Sequence, residues 1–204
     1  MSDWTTTFIS FVSIMLVAVF VQNTVFTRAL GTSRLIFLVR EAPVDSVIFC
    51  ALLTLVQVLS APAAYFANRL LKRPEVWFRE YIRPLVLVSC AALAFTVVML
   101  FLRLLKSQHS KEITAALPLA TFNTAVLGPM LLSGMASFTF VQTIGFALGS
   151  GLGYGFAVLL VAEGQRRLNN RSVPVPFKGL PVQLLYIGLL ALAMYGLTGH
   201  RLGY

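Results

Sequence analysis

The sequence predicts an all-α integral membrane protein of six transmembrane helices, arranged as two inverted three-helix repeats in which the first and fourth helices are broken. Three observations predict this. The chain has 204 residues, is 58% hydrophobic and only 11% charged, and has a mean hydropathy of +0.84, whereas a soluble domain carries about 25% charged residues. The apolar residues gather in runs long enough to cross a bilayer, among them Ile113–Ala162, 50 residues without Asp, Glu, Lys or Arg. Two runs are interrupted by polar and helix-breaking residues, at Val21–Gly31 and at Leu117–Gly134, and the dipeptide Asn-Thr stands in both, at Asn23-Thr24 and Asn123-Thr124. Irregular backbone at membrane depth is tolerated only where protein or a wet cavity satisfies the freed groups, and broken helices of this kind mark functional centres.

The first span is Trp4–Thr27, 24 residues without a charge. It lacks the basic leader and short apolar core of a secretory signal, so it reads as a retained membrane helix. The segment Arg28–Asp45, with Gly31 and Pro43 as breakers, reads as a loop. Span two is about Val44–Asn68, with Pro62 expected to kink it. Asn68–Pro84 holds five basic residues together with Trp77 and Tyr81, a composition that predicts an amphipathic helix on the membrane surface. Span three is about Pro84–Leu105, and Lys106–Glu112 is a polar loop in which His109 is solvated. Span four is the broken segment Ile113–Leu132, span five Phe138–Ala162 and span six Leu180–Gly199, with the polar stretch Glu163–Gly179 between the last two. Gly145, Gly149 and Gly153 recur every four residues in span five, with Gly151 and Gly155 on a neighbouring face, and small residues at this spacing let helix backbones approach closely.

Between the spans no stretch is long enough for a separate soluble domain. The expected organisation is one membrane domain over residues 1–204, with repeat one about 1–106 and repeat two about 113–204. An odd number of spans per half inverts the second half, which places a shared site near the midplane. The net charge of +9 sits in short loops, so it speaks for topology and contact with anionic lipid, and not for nucleic acid. With the N-terminus outside, the inner segments carry ten Lys and Arg and the outer ones six, which favours that orientation.

The spans hold no acid–base pair, and nothing resembles a nucleophile with its base, so the chain does not read as an enzyme by itself. No intramembrane carboxylate or amine equips it as a proton relay. Cys50 and Cys90 fall inside spans and read as small buried apolar residues, not as a metal site. The polar groups at depth are Asn23, Thr24, Asn123 and Thr124. They can bond helix to helix, or line a midplane site whose hydroxyls, amides and freed carbonyls suit a small cation.

Leu117–Gly128 (LPLATFNTAVLG), the glycine-rich span five and Ser172–Gly199 (SVPVPFKGLPVQLLYIGLLALAMYGLTG) together resemble the small six-span subunits of the Rnf and Nqr electron-transport complexes, above all the A-type subunit of Rnf and also the E-type subunit of Nqr. The resemblance extends to Leu30-Gly31 and to Tyr81-Ile82-Arg83 in the first half. It implies a scaffold subunit in the bacterial cytoplasmic membrane, paired with a paralogous six-helix subunit in an assembly whose partner subunits carry flavin and iron–sulfur clusters and which couples electron transfer to ion movement. It further implies two cysteines per subunit at a shared 2Fe-2S centre. Those positions read Ser33 and Thr124 here, so the resemblance assigns this chain no cofactor and no metal. It leaves three functional readings, a subunit of such a complex, a redox-silent relative that moves a small ion or solute, or a purely structural membrane partner.

Overall fold

The computed structural model describes residues 3–41, 45–72, 78–105, 110–168 and 174–199. Within these residues the chain is helical, with α1 (Asp3–Val19), α2 (Thr32–Glu41), α3 (Asp45–Leu71), α4 (Arg79–Leu105), α5 (Ser110–Thr121), α6 (Thr124–Met135), α7 (Phe140–Leu168) and α8 (Leu180–Thr198), plus a 3₁₀ turn at Val175–Phe177. Among the described residues four helices are long and apolar enough to cross a membrane: Ser46–Leu71, Glu80–Leu104, Phe140–Arg167 and Leu180–Thr198. A fifth span is formed if Ile113–Thr121 and Thr124–Met135, bent by 41°, count as one. α1 is apolar but only 17 residues long.

α7 is the hub, because its glycines remove the side chains that would hold neighbours away. A Cβ on Gly145, Gly149 or Gly153 would run into Phe11, Met15 and Val19 of α1, and one on Gly151 into Thr54 and Gln57 of α3. The four-residue stripe is thus the α1 seam and the neighbouring face the α3 seam, as expected of small residues at helix contacts. Around this junction lie the fully buried Tyr154, Phe49, Leu35, Leu53, Leu117 and Val126. α8 lies outside, touching α7 through Gly164 under the Tyr186 ring and through a Gln183–Gln165 bond. Its outward Leu185, Leu189, Leu192 and Leu197 remain exposed, as lipid-facing residues do.

Two segments differ from the sequence reading. Arg28–Asp45 is not a plain loop, because α2 occupies Thr32–Glu41 and buries Leu35, Ile36 and Leu38 against its neighbours. Its charges mask this in a hydropathy reading, although Leu35, Leu38 and Val39 carry the three- and four-residue spacing of a helix face. Asn68–Pro84 forms no surface helix among the described residues. Its start completes α3 and its end opens α4, while residues 73–77, Trp77 included, lie outside the described residues. α3 runs through Pro62 without interruption. His109 also falls outside the described residues.

Candidate functional site

The two breaks are built by the same device. Asn23 Oδ1 accepts from the N–H of Val25 at 2.9 Å and of Phe26 at 3.2 Å. Asn123 Oδ1 accepts from Ala125 N–H at 3.0 Å and caps α6 with extended backbone. An asparagine that bonds its own chain two residues ahead offers the backbone an alternative to continuing the helix, and it satisfies a donor the new turn leaves open. The repeated Asn-Thr dipeptide therefore marks two turns of one kind.

The first break is the longer. After α1 the chain turns through Val25–Arg28, closed by Ala29 N–H to Val25 O at 2.8 Å with Ala29 in a left-handed conformation at φ 54°. Gly31 follows at φ 71° and opens α2. Only glycine suits that position, since a Cβ there would stand 2.8 Å from the Tyr154 ring, 2.9 Å from Ala125 Cβ and 3.0 Å from Asn123 Oδ1.

At Gly31 the two breaks meet. Its N–H donates to Thr124 Oγ1 at 2.9 Å, and its carbonyl accepts from the Tyr154 hydroxyl at 3.2 Å. Asn23 ties the same region to α7, its Nδ2 donating to Val19 O at 2.8 Å and Gly153 O at 3.0 Å. Gln57 of α3 supports the second break from behind, Nε2 donating to Ala125 O at 2.5 Å. Irregular backbone inside an apolar protein is held in this way by amide and hydroxyl side chains.

Of the predicted polar residues, Asn23, Thr24 and Asn123 are buried, whereas Thr124 is exposed. Ser33 is exposed as well, two residues beyond the glycine that Thr124 holds. Beside Thr124 lies an apolar groove of about 190 Å³ between Leu30, α4 (Pro84, Leu87, Val88) and α6 (Leu127, Gly128, Leu131). Thr24 Oγ1, Gln57 Oε1 and Ser150 Oγ are buried and make no hydrogen bond among the described residues.

Four contributors escaped sequence reasoning. Gln57 and Tyr154 stand among apolar neighbours on helices that carry several other polar residues, and only the meeting of the breaks gives them a task. Arg34, counted as a loop charge, stacks its guanidinium over Phe37 at 4.7 Å and Phe49 at 5.5 Å, and Phe49 packs against Tyr154. Arg83, read as an interfacial charge, reaches the end of α6 instead, donating to Leu131 O at 3.2 Å.

The donor set bears on a metal. Among the described residues no three His, Cys, Asp or Glu side chains come together. Cys50 and Cys90 are free on α3 and α4. Thr124→Val should cost about 1 kcal/mol of stability, the usual worth of a hydrogen bond, because it orphans the Gly31 N–H, and Thr124→Ser should cost much less. Thermal unfolding of both variants in detergent checks this, and a T124V protein that melts like the parent would deny the bond its bridging role.

The family profile described as "Rnf-Nqr subunit, membrane protein" matches residues 11–200. The chain is 29% identical over 191 residues to the A-type subunit of the Na(+)-translocating ferredoxin:NAD(+) oxidoreductase complex of Acetobacterium woodii, covering 93% of this chain and 97% of the relative. It is 30% identical over 186 residues to the A-type subunit of the ion-translocating oxidoreductase complex of Syntrophotalea carbinolica, covering 91% and 95%. To the protein of the same name from Aromatoleum aromaticum it is 35% identical over 147 residues, covering 72% and 75%.

Proposed function

The chain belongs to the Rnf-Nqr family of membrane subunits, and from that premise we propose that it serves as the A-type membrane component of an ion-translocating electron-transport complex. The observation that carries the reading is the meeting of the two breaks, Gly31 N–H on Thr124 Oγ1, with Ser33 and Thr124 both at the surface. An exposed polar junction beside an apolar groove is what a partner subunit would cover, and a paralogous six-helix subunit is the partner of choice. Flavin and iron–sulfur clusters belong to the partners. The protein is multi-pass in the bacterial cytoplasmic membrane with its N-terminus outside, and by itself it is not an enzyme.

In this reading the chain is one membrane domain of six spans in two inverted halves, residues 1–106 and 113–204. α1 with its break is the first span and the α5–α6 pair the fourth. The shared asparagine turn supports the inversion. Asn23, Thr24, Asn123 and Thr124 form the midplane polar site.

The family's 2Fe-2S centre does not fit the residues present. Ser33 and Thr124 offer neutral hydroxyls where iron prefers thiolates, and Thr124 Oγ1 already accepts from Gly31. No electron step is therefore assigned to this chain's own side chains. A second reading, a redox-silent carrier of a small ion or solute, draws support from Thr24 Oγ1, Gln57 Oε1 and Ser150 Oγ, buried oxygens of a type that ligates small cations.

Purification of the tagged chain from its native membrane in mild detergent, with mass spectrometry of the associated chains, separates the two. A flavin- and cluster-bearing set is expected. Recovery of the chain alone or as a homodimer would overturn the complex reading and favour the carrier. The S33C/T124C double variant is expected to be bridged by a short bifunctional thiol reagent. Folded protein that resists bridging would count against the inverted-repeat arrangement.

A further inference from the structure

Where the end of α3 meets the turn between α6 and α7, a cleft of about 200 Å³ opens to the surface, lined by Asn68, Arg69, Lys72, Ser133, Ser137 and Thr143 among others. Lys72 Nζ reaches across it to Ser137 Oγ at 2.7 Å. Ser137 holds a left-handed φ of 55°, an uncommon state for a residue other than glycine. Arg83 closes the far side, its Nε donating to Asn68 Oδ1 at 2.9 Å as it passes over Gly134. Two cations thus line one cleft beside hydroxyls, and a third, Arg83, is bonded to Asn68 in its wall.

Among the described residues no carboxylate lines this cleft, and the ion pairs all involve Glu163, near the opposite end of α7. Like charges held close together are stabilised by a bound anion. Arg69 and Lys72 lie at the end of the span Ser46–Leu71, the level at which lipid phosphates lie. The flank of the cleft is aromatic. Tyr65 meets Phe140 edge-on at 5.5 Å, and Phe66 and Phe140 turn their exposed faces outward, a surface for acyl chains.

We propose that this cleft binds the phosphate of an anionic phospholipid, with Arg69, Lys72 and the Ser137 hydroxyl holding the headgroup and the acyl chains lying along Phe66 and Phe140. The site stands independently of the reading as a complex subunit.

The test uses the full chain, purified and delipidated in mild detergent. Native mass spectrometry follows titration with phosphatidylglycerol, with phosphatidylcholine, and with phosphatidylglycerol in the presence of inorganic phosphate. One phosphatidylglycerol is expected to be retained at roughly tenfold lower lipid concentration than phosphatidylcholine, given what two basic side chains contribute near a membrane surface. R69Q/K72Q should lose that preference, whereas K178Q, an exposed base away from the cleft, should keep it. The single variant K72M gives the same reading if the double variant folds poorly. Equal retention of both lipids, or equal loss in K178Q, would overturn the site. Full displacement by an equal concentration of inorganic phosphate would overturn its assignment to lipid.

Discussion

Gly149→Leu is expected to prevent α1 from docking on α7 and to cost about 3 kcal/mol, the upper range for forcing bulk into a packed contact. A Cβ at Gly149 would fall within the van der Waals envelope of the Met15 carbonyl oxygen, and it would stand 2.9 Å from both Met15 Cα and Ala18 Cβ. These are backbone and near-backbone atoms, so no rotamer change gives way and the helices must separate. Helix propensity predicts the opposite sign, since replacing a mid-helix glycine gains about 1 kcal/mol. Gly188→Leu on α8 isolates that term, because nothing lies within 4 Å of its added Cβ. Thermal unfolding in detergent should show G149L strongly destabilised and G188L unchanged or slightly stabilised. If both variants behave alike, the four-residue glycine stripe is not the α1 seam.

Asn23→Ala should be the most damaging change at the breaks, at about 4 kcal/mol or more. The side chain is fully buried and serves four backbone groups, two carbonyls through Nδ2 and two N–H groups through Oδ1. Each buried group left without a partner costs about 1–3 kcal/mol, and the Gly153 carbonyl, inside α7, falls at the low end. Asn123→Ala removes one such bond, to Ala125 N–H, and should cost about 1 kcal/mol. Asn23→Asp keeps the acceptors, but it turns a carboxylate oxygen toward the carbonyls of Val19 and Gly153 and should be at least as harmful as alanine. Unfolding midpoints of the three variants rank these effects. Equal losses for N23A and N123A would mean that the two asparagines carry equal weight and that the tie to α7 is energetically idle.

Much of the architecture is legible because hydropathy and helix-breaking are properties of short stretches. The runs that became α3, α4, α7 and α8 are apolar whatever they touch, and their ends fall within a few residues of the predicted ones except where α4 begins early at Arg79 and α7 runs on to Leu168. The break at Asn123 is legible too, since asparagine offers the backbone a local turn in place of the helix, whereas α6 runs through Gly128 and Pro129 without interruption. α2 is less legible, because Arg34, Arg40 and Glu41 lower its hydropathy to that of a loop.

Sequence alone thus determined that this chain lives in a membrane, that it is helical, and that two asparagine turns interrupt it. Its family membership was equally legible, most strongly in the second half but in residues of the first half as well. Tertiary structure alone decided which surfaces those turns present. Thr24 and Thr124 follow identical asparagines, yet one is buried and the other exposed, and Thr124 receives Gly31 while Asn23 is tied to α7. It also decided that Arg83 would hold the end of α6 and that Lys72 would reach Ser137. The physical reason is one of range. The preference for lipid and for a broken helix is summed over neighbours in the chain, whereas the partner of a hydroxyl or a guanidinium is fixed by which backbone arrives beside it from far along the sequence.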